Sequence, residues 1–325
     1  MIQIAPVLNV STEIAVHWQA TVAASLAGDL PDEAPPTAEQ VQAQLCAAGL
    51  DSRRLFWLAT TADGAVVGVA GLRLFTSAGQ SHLAELELHV HPDHRRAGTG
   101  SRLLAAATSA AQAEQRRSLL TLSADGKPGD SFCTARGFRR VLTLDHLLLN
   151  VAQADDGEAD TDRSGYELAS WTGTVPEELA DAFAVAKNAM NDMPIGDMDY
   201  GSQSWTPDRV RAMAQVLADR GDRLLTIAAL SKGEMAGFTE LVIRSGADRR
   251  AVQYDTAVVP AHRGHGLGLW VKAAMVRRLR AEHPSVVEVE TDNAQDNTHM
   301  LAVNHQLGFR FHRRTHEYQL DLPTT

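Results

Sequence analysis

The chain has 325 residues, 44% hydrophobic and 22% charged, with a formal net charge of −10 at pH 7. That length allows two ordinary domains, each with its own core, and the composition is that of a soluble globular protein. No apolar run approaches the roughly 20 residues of a membrane span, the N-terminus lacks the charged-then-apolar pattern of a signal peptide, and the acidic balance argues against nucleic acid as the main partner.

In chain order, residues 54–60 and 65–74 read as paired strands around Thr61-Ala62-Asp63-Gly64, whose Asp-Gly is a strong hairpin signal. A third strand, 83–90, runs into Val90-His91-Pro92-Asp93-His94-Arg95-Arg96-Ala97-Gly98-Thr99-Gly100. An Ala/Leu-rich helix follows to about Arg116, then a buried strand at 118–123, a short helical stretch, Arg136-Gly137-Phe138-Arg139 and a closing strand at 142–149. Residues 152–165 are acidic, small and without apolar periodicity, so they read as a solvated linker. The same order then returns. Strands at 223–229, 234–243 and 252–259 lead into Val258-Val259-Pro260-Ala261-His262-Arg263-Gly264-His265-Gly266-Leu267-Gly268. A helix to about Glu282, a strand at 286–290, Leu307-Gly308-Phe309-Arg310 and a last strand at 316–322 complete it. The expected organisation is therefore a first repeat at 1–151, a linker at 152–165 and a second repeat at 166–325. A hairpin-built sheet followed by one strand–helix–strand crossover implies an α/β class with a mixed sheet in each.

Both loops follow V-x-P-x-x-R-x-x-G-x-G. Glycines let backbone N–H groups face an anion, and the positive end of the following helix adds to the attraction. A dinucleotide fingerprint is excluded, because its third glycine would be Leu103 or Val271, and a P-loop is excluded by the missing Gly-Lys-Ser/Thr. The motif resembles the acetyl-CoA pyrophosphate loop of the GNAT N-acetyltransferase family. The chain is thus similar to that family twice, and distantly to its mycothiol synthase-type two-repeat members. The resemblance implies tandem repeats, each a central mixed, mostly antiparallel sheet flanked by helices. It also implies acetyl-CoA as co-substrate, held by Val258, Val259, Arg263, Gly264, His265, Gly266, Leu267 and Gly268, and in the first copy by Val90, Arg95, Arg96, Gly98, Thr99 and Gly100.

The copies differ where chemistry is expected. Many members of the family carry, five residues before the Phe of the Gly-Phe pair, a Tyr that protonates the departing thiolate. Here those positions are Cys133 and Asn304, and an amide can hydrogen-bond the thioester or pantetheine but cannot supply the proton. Seven residues earlier the second repeat keeps the family's pantetheine-contacting Asn as Asn297, whereas the first has Gly126. On the central hairpin of the second repeat, a turn near Ala247 sets Glu240 across from Tyr254, give or take one residue, so carboxylate and phenol share a face. An attacking amine must be unprotonated, and Glu240 is the expected base. The first repeat has Gly71 and Leu86 at these positions. Asp255 belongs to the opposite face by strand alternation, unless a bulge reverses it.

The resemblance places the acceptor wall between the first two strands of the second repeat. There Asn188-Ala189-Met190-Asn191-Asp192-Met193-Pro194-Ile195-Gly196-Asp197-Met198-Asp199-Tyr200 offers Asp192, Asp197 and Tyr200 as acceptor-binding groups. The histidines lack further ligands at metal-site spacing, so no metal is expected, although His262 and His265 flank the phosphate loop. Two cysteines, Cys46 and Cys133, give no disulfide framework and point to a reducing cytoplasm. The expected function is acetyl transfer to the amine of a small molecule, with the second repeat catalytic and the first degenerate. A non-catalytic acyl-CoA-binding sensor is the alternative. Oligomeric state is not legible.

Overall fold

The computed structural model describes residues 2–47, 49–247 and 249–323. The first repeat runs β1 (Gln3–Pro6), α1 (Thr12–Asp29), α2 (Ala38–Cys46), β2 (Ser52–Thr60), β3 (Val66–Phe75), β4 (Leu83–Val90), α3 (Thr99–Ala113), β5 (Ser118–Ala124), α4 (Pro128–Ala135) and β6 (Arg139–Asn150). The second follows the same plan: β7 (Glu167–Thr172), α5 (Ala180–Lys187), α6 (Pro207–Asp219), β8 (Arg223–Ser231), β9 (Glu234–Ile243), β10 (Arg250–Val258), α7 (Leu267–Glu282), β11 (Glu288–Ala294), α8 (Thr298–Leu307) and β12 (Arg310–Asp321). The expected mixed α/β class is what forms.

The compact units cut across the repeats. The first unit holds the chain up to Leu142, the segment Gly196–Gly201 and the chain from Thr315; the second holds Thr143–Ile195 and Ser202–Arg314. In the first unit the strands lie in the order β1-β2-β3-β4-β5-β12, antiparallel except for the parallel β4–β5 pair. In the second the order is β7-β8-β9-β10-β11-β6, antiparallel except for β10–β11. The closing strand of each repeat thus completes the unit built mainly from the other. β12 runs from Thr315 opposite Ala124 to Asp321 opposite Ser118, and β6 from Asn150 opposite Glu288 to Leu144 opposite Ala294. Each covers a backbone edge that β5 or β11 would otherwise leave open. Tyr318 and Leu322 enter the first core, and Leu147 and Leu149 the second.

Helices cover both faces of each sheet, which is why β3 and β9 are apolar and small along nearly their whole length. In the second unit α7 lays Val271, Met275 and Leu279 over Leu225, Leu241 and Ile243. On the opposite face α5 packs Phe183 against Ala228 and Phe238, and α6 packs Ala214 and Leu217 against Leu224 and Val242. In the first unit α3 covers one face, while Trp18 of α1 and Leu45 of α2 meet Val69 on the other.

Residues 152–165 do not lie loose in solvent as their acidity suggests. Asp156 meets Arg280 at 2.9 Å and Arg277 at 3.5 Å, and Asp160 also pairs with Arg277. The acidic run is the counterpart of a basic stripe on α7.

The strand exchange has a direct consequence. Residues 166–325 expressed alone lack β6, and with it the burial of Leu147 and Leu149, about 1.5–3 kcal/mol each, against a typical total of about 5–15 kcal/mol. That fragment should show no cooperative thermal transition by circular dichroism, and co-expression with residues 1–165 should restore one. A cooperative transition from the isolated fragment would contradict the exchange.

Candidate active site

The loop between β10 and α7 takes its shape from two left-handed residues. Gly264 has φ of 80° and Gly266 of 69°, and α7 begins at Leu267. At the same two places the first copy has Arg96 at 61° and Gly98 at 84°, before α3. Both helices are long, and their first-turn N–H groups have no partner inside the helix, so each loop can present donors to an anion. Beside each loop the sheet splays open. β10 pairs with β11 only over Arg250–Val252, and β4 with β5 only over Leu83–Leu86, so the rest of each strand up to Val258 or Val90 has no strand partner on that side among the described residues. A linear chain of amides fits such an edge.

The motif arginines, expected to contact phosphate, bond protein groups at the end of each strand. Arg95 donates from Nε to the Val90 carbonyl at 3.1 Å, from both terminal nitrogens to Asp29 at 2.8 and 2.9 Å, and to Ser25 at 3.0 Å. Arg263 donates from Nε to the Val258 carbonyl at 3.1 Å and from a terminal nitrogen to Asp192 at 2.7 Å. In both repeats the guanidinium braces the end of the strand to an aspartate that closes a helical stretch, Asp29 at the end of α1 and Asp192 at the end of the 3-10 turn after α5. Asp192, expected to bind the acceptor, here pairs with Arg263. Around the second loop, His265 turns Nδ1 toward the carbonyls of Arg263 at 3.0 Å and His262 at 3.2 Å. Two acceptors around one nitrogen require that it carry the hydrogen.

The carboxylates come together through a bulge. Gln253 pairs with Leu241 and Thr256 with Thr239, so Tyr254 and Asp255 jointly face Glu240. The extra residue turns Asp255 toward Glu240 instead of away from it. Between them sits Lys187, the last residue of α5, with its Nζ 2.5 Å from Glu240 Oε2 and 2.7 Å from Asp255 Oδ2. Its ammonium also lies 4.3 Å from the ring centre of Trp205, with the rings of Phe183 and Phe238 at 5.6 and 5.5 Å. Burial alone would lower the Lys187 pKa, but Glu240 and then Asp255 outweigh it and hold the ammonium above its ordinary value. Burial, aided by Asp255, pushes the Glu240 carboxyl up despite the pull of Lys187. The side chain of Glu240 is 2% exposed and that of Asp255 30%. Asp255 is the carboxylate a ligand can reach, and Oδ1 has no hydrogen bond among the described residues.

The other expected groups separate. Tyr254 packs with Met213 against Leu224 and Val242, and burial raises its phenol pKa. Asn297 caps α8, accepting from the Met300 N–H at 3.2 Å. Asn304 is fully buried and donates to Asn293 at 2.5 Å, while its Oδ1 finds no partner among the described residues. Asp197 and Tyr200 belong to the first unit. The Asp197 N–H bonds the Val141 carbonyl at 2.9 Å, and Tyr200 packs with Phe75, Leu83 and Leu120. Gly196 and Gly201 pin that segment, since a Cβ on either would lie 2.1 or 2.0 Å from a backbone oxygen. In the first unit the position matching Glu240 is Gly71, where Phe56 and Trp18 lie 3.5 and 3.6 Å from where a Cβ would be. β4 crosses it without a bulge. Among the described residues no group of acidic, His and Cys side chains is arranged to hold a metal, and no helix is long and apolar enough to cross a membrane.

Lys187 was not singled out by the sequence reading, yet it is legible there: it follows Phe183 by four residues on the buried face of α5. Removing a buried cation between two carboxyls leaves charge uncompensated, at a cost of about 3–5 kcal/mol. Lys187→Met should lower Tm by roughly 6–20 °C, and adding Glu240→Gln should recover part of that loss. A Tm within a degree or two of wild type would show that the ammonium does not hold the carboxylates.

A family model described as the acetyltransferase (GNAT) family matches residues 21–138 and 190–309, each match ending on the Phe of a Gly-Phe pair. The chain is 31% identical over 251 residues to a mycothiol acetyltransferase of Kineococcus radiotolerans, covering 76% of this chain and 75% of that one. It is 29% identical over 274 residues to a mycothiol acetyltransferase of Amycolatopsis mediterranei, covering 80% and 83%. Among solved structures, a tandem GNAT protein from the clavulanic acid biosynthesis pathway, determined without acetyl-CoA, matches with a TM-score of 0.83 at 26% identity over all of both chains. The two matched segments make up well over half of the chain, and the solved neighbour has the same doubled architecture. The chain belongs to the acetyltransferase (GNAT) family, as an acyltransferase with two tandem copies of the family fold.

Proposed function

We propose that this enzyme transfers an acetyl group from acetyl-CoA to the amine of a small cationic molecule, and that the second unit carries the reaction. The observation that supports this most is the placement of three features along β10. The bulge presents Asp255, the unpaired edge runs on to Val258, and the left-handed loop opens α7. In the first unit Trp18 and Phe56 pack at Gly71 in the place of Glu240, and Glu87, opposite Gly71 on β4, pairs with His89 instead of a buried lysine.

The residues fit acetyl-CoA. Gly264 and Gly266 shape the loop for its pyrophosphate, and the edge from Gln253 to Val258 suits its amide-bearing arm. The bound co-substrate supplies an activated acetyl group on a thiol that is a good leaving group. The chain positions the rest. Asp255 draws the acceptor's ammonium to the bulge and takes its proton directly or through water. Lys187 holds Asp255 in place and is itself held by Glu240, so the expected direct base, Glu240, acts one step removed. Backbone N–H groups near Val258 stabilise the developing oxyanion. Asn304, in the place of the family's Tyr, is fully buried against Asn293, and an amide there supplies no proton to the leaving thiolate.

The two curated relatives are mycothiol acetyltransferases, which makes a small thiol metabolite with a primary amine one acceptor class to try beside polyamine-like natural products. Release of free thiol from acetyl-CoA, followed across such a panel, separates transfer from mere binding. In Gly266→Asp the added carboxylate faces the phosphates and the new side chain meets Arg163, so turnover should be abolished. Gly98→Asp, the matching change in the first loop, should retain most of it. Equal loss in both folded variants would place transfer in both units, and acetyl-CoA binding with no thiol release for any amine would favour the acyl-CoA sensor.

A further inference from the structure

Arg263 already donates to Val258 and Asp192, and a second guanidinium stands beside the same loop. Arg163, in the segment between the repeats, lies against that loop. Its Nη1 donates to the His265 carbonyl at 2.6 Å and its Nη2 to Glu158 at 2.6 Å. The same Nη1 stands 2.7 Å from where a Cβ on Gly266 would be, so the guanidinium lies against the space that glycine leaves open. Its Nε is buried and has no hydrogen-bond partner among the described residues. The guanidinium carbon sits 5.9 Å from the Trp270 ring centre, on the first turn of α7.

Its position is built rather than incidental. Asp156 and Asp160 fasten the segment to Arg277 and Arg280, and Tyr166 stacks edge-on to His262 with its hydroxyl 3.2 Å from that ring's Nδ1. The charged and titratable groups around the loop are Arg163, Glu158, His262, His265, Arg263 with Asp192, and Glu234, which lies 3.9 Å from His262.

We infer that Arg163 is a phosphate ligand of the second loop, so that the segment joining the repeats completes the CoA site. This rests on the reading of that loop as a CoA loop. A guanidinium already positioned by Glu158 and a carbonyl needs little reordering to meet a phosphate, and can do so with two parallel N–H donors.

Calorimetry with CoA, dephospho-CoA and phosphate-free acetylpantetheine tests this, in a Gly98→Asp background so that the second loop alone reports. Arg163→Gln should weaken CoA by about tenfold or more and leave acetylpantetheine unchanged. Loss kept with dephospho-CoA assigns Arg163 to the pyrophosphate, and loss confined to CoA assigns it to the 3′-phosphate. Either supports the inference. Glu158→Gln, which releases the guanidinium from its carboxylate, should tighten CoA severalfold and supplies the test should Arg163→Gln fail to fold. Unchanged CoA affinity in folded Arg163→Gln, or equal weakening of CoA and acetylpantetheine, would overturn it. If Gly266→Asp also left CoA binding intact, the loop assignment itself would fail, which is a separate outcome.

Discussion

One ammonium buried between two carboxyl groups organises the second unit. In a low-dielectric interior, Lys187 without Glu240 and Asp255, or either acid without Lys187, is costly enough to unsettle the fold. The three groups come from α5, β9 and β10, so the ion cluster ties a helix to two adjacent strands. Its composition is asymmetric, two acids to one base, and the surplus acid is the one near the surface. A site of that form attracts a cation, and the aromatic faces of Trp205, Phe183 and Phe238 add to the favourable field around an ammonium.

The first unit shows what happens to the same fold without that cluster. Its central hairpin runs in unbroken register, Gly71 replaces the carboxylate, and a perpendicular pair of Trp18 and Phe56, with ring centres 5.5 Å apart, fills the space. Its loop nonetheless keeps both left-handed positions, one of them at Arg96, where a side chain makes that conformation less favourable than at Gly264. The left-handed loop and the buried ion cluster are thus separable properties of one architecture.

Periodicity and turn chemistry made much of this legible beforehand. The Asp-Gly hairpin, the doubled V-x-P-x-x-R-x-x-G-x-G loops and the apolar strands gave the class and the repeat, because local sequence sets local backbone. Three things were not legible. A bulge at Tyr254–Asp255 shifts register by one residue without changing composition, and it alone decides which of two neighbours faces Glu240. The exchange of β6 and β12 is a choice of partner between two similar sheet edges, which no single strand encodes. The docking of residues 152–165 depends on Arg277 and Arg280 lying more than a hundred positions away, so an acidic run reads as solvated until its counter-ions are placed.

The central claim is that Asp255, with Lys187 and Glu240 behind it, is the carboxylate that meets the acceptor amine. The pH dependence of kcat/KM for Asp255→Asn and Glu240→Gln, measured side by side with the same acceptor, tests it most directly. The account predicts a loss of about a hundredfold or more in Asp255→Asn, with the rate then rising only as the free amine accumulates at higher pH, and a smaller loss in Glu240→Gln. A wild-type profile for Asp255→Asn beside a collapsed rate for Glu240→Gln would contradict it.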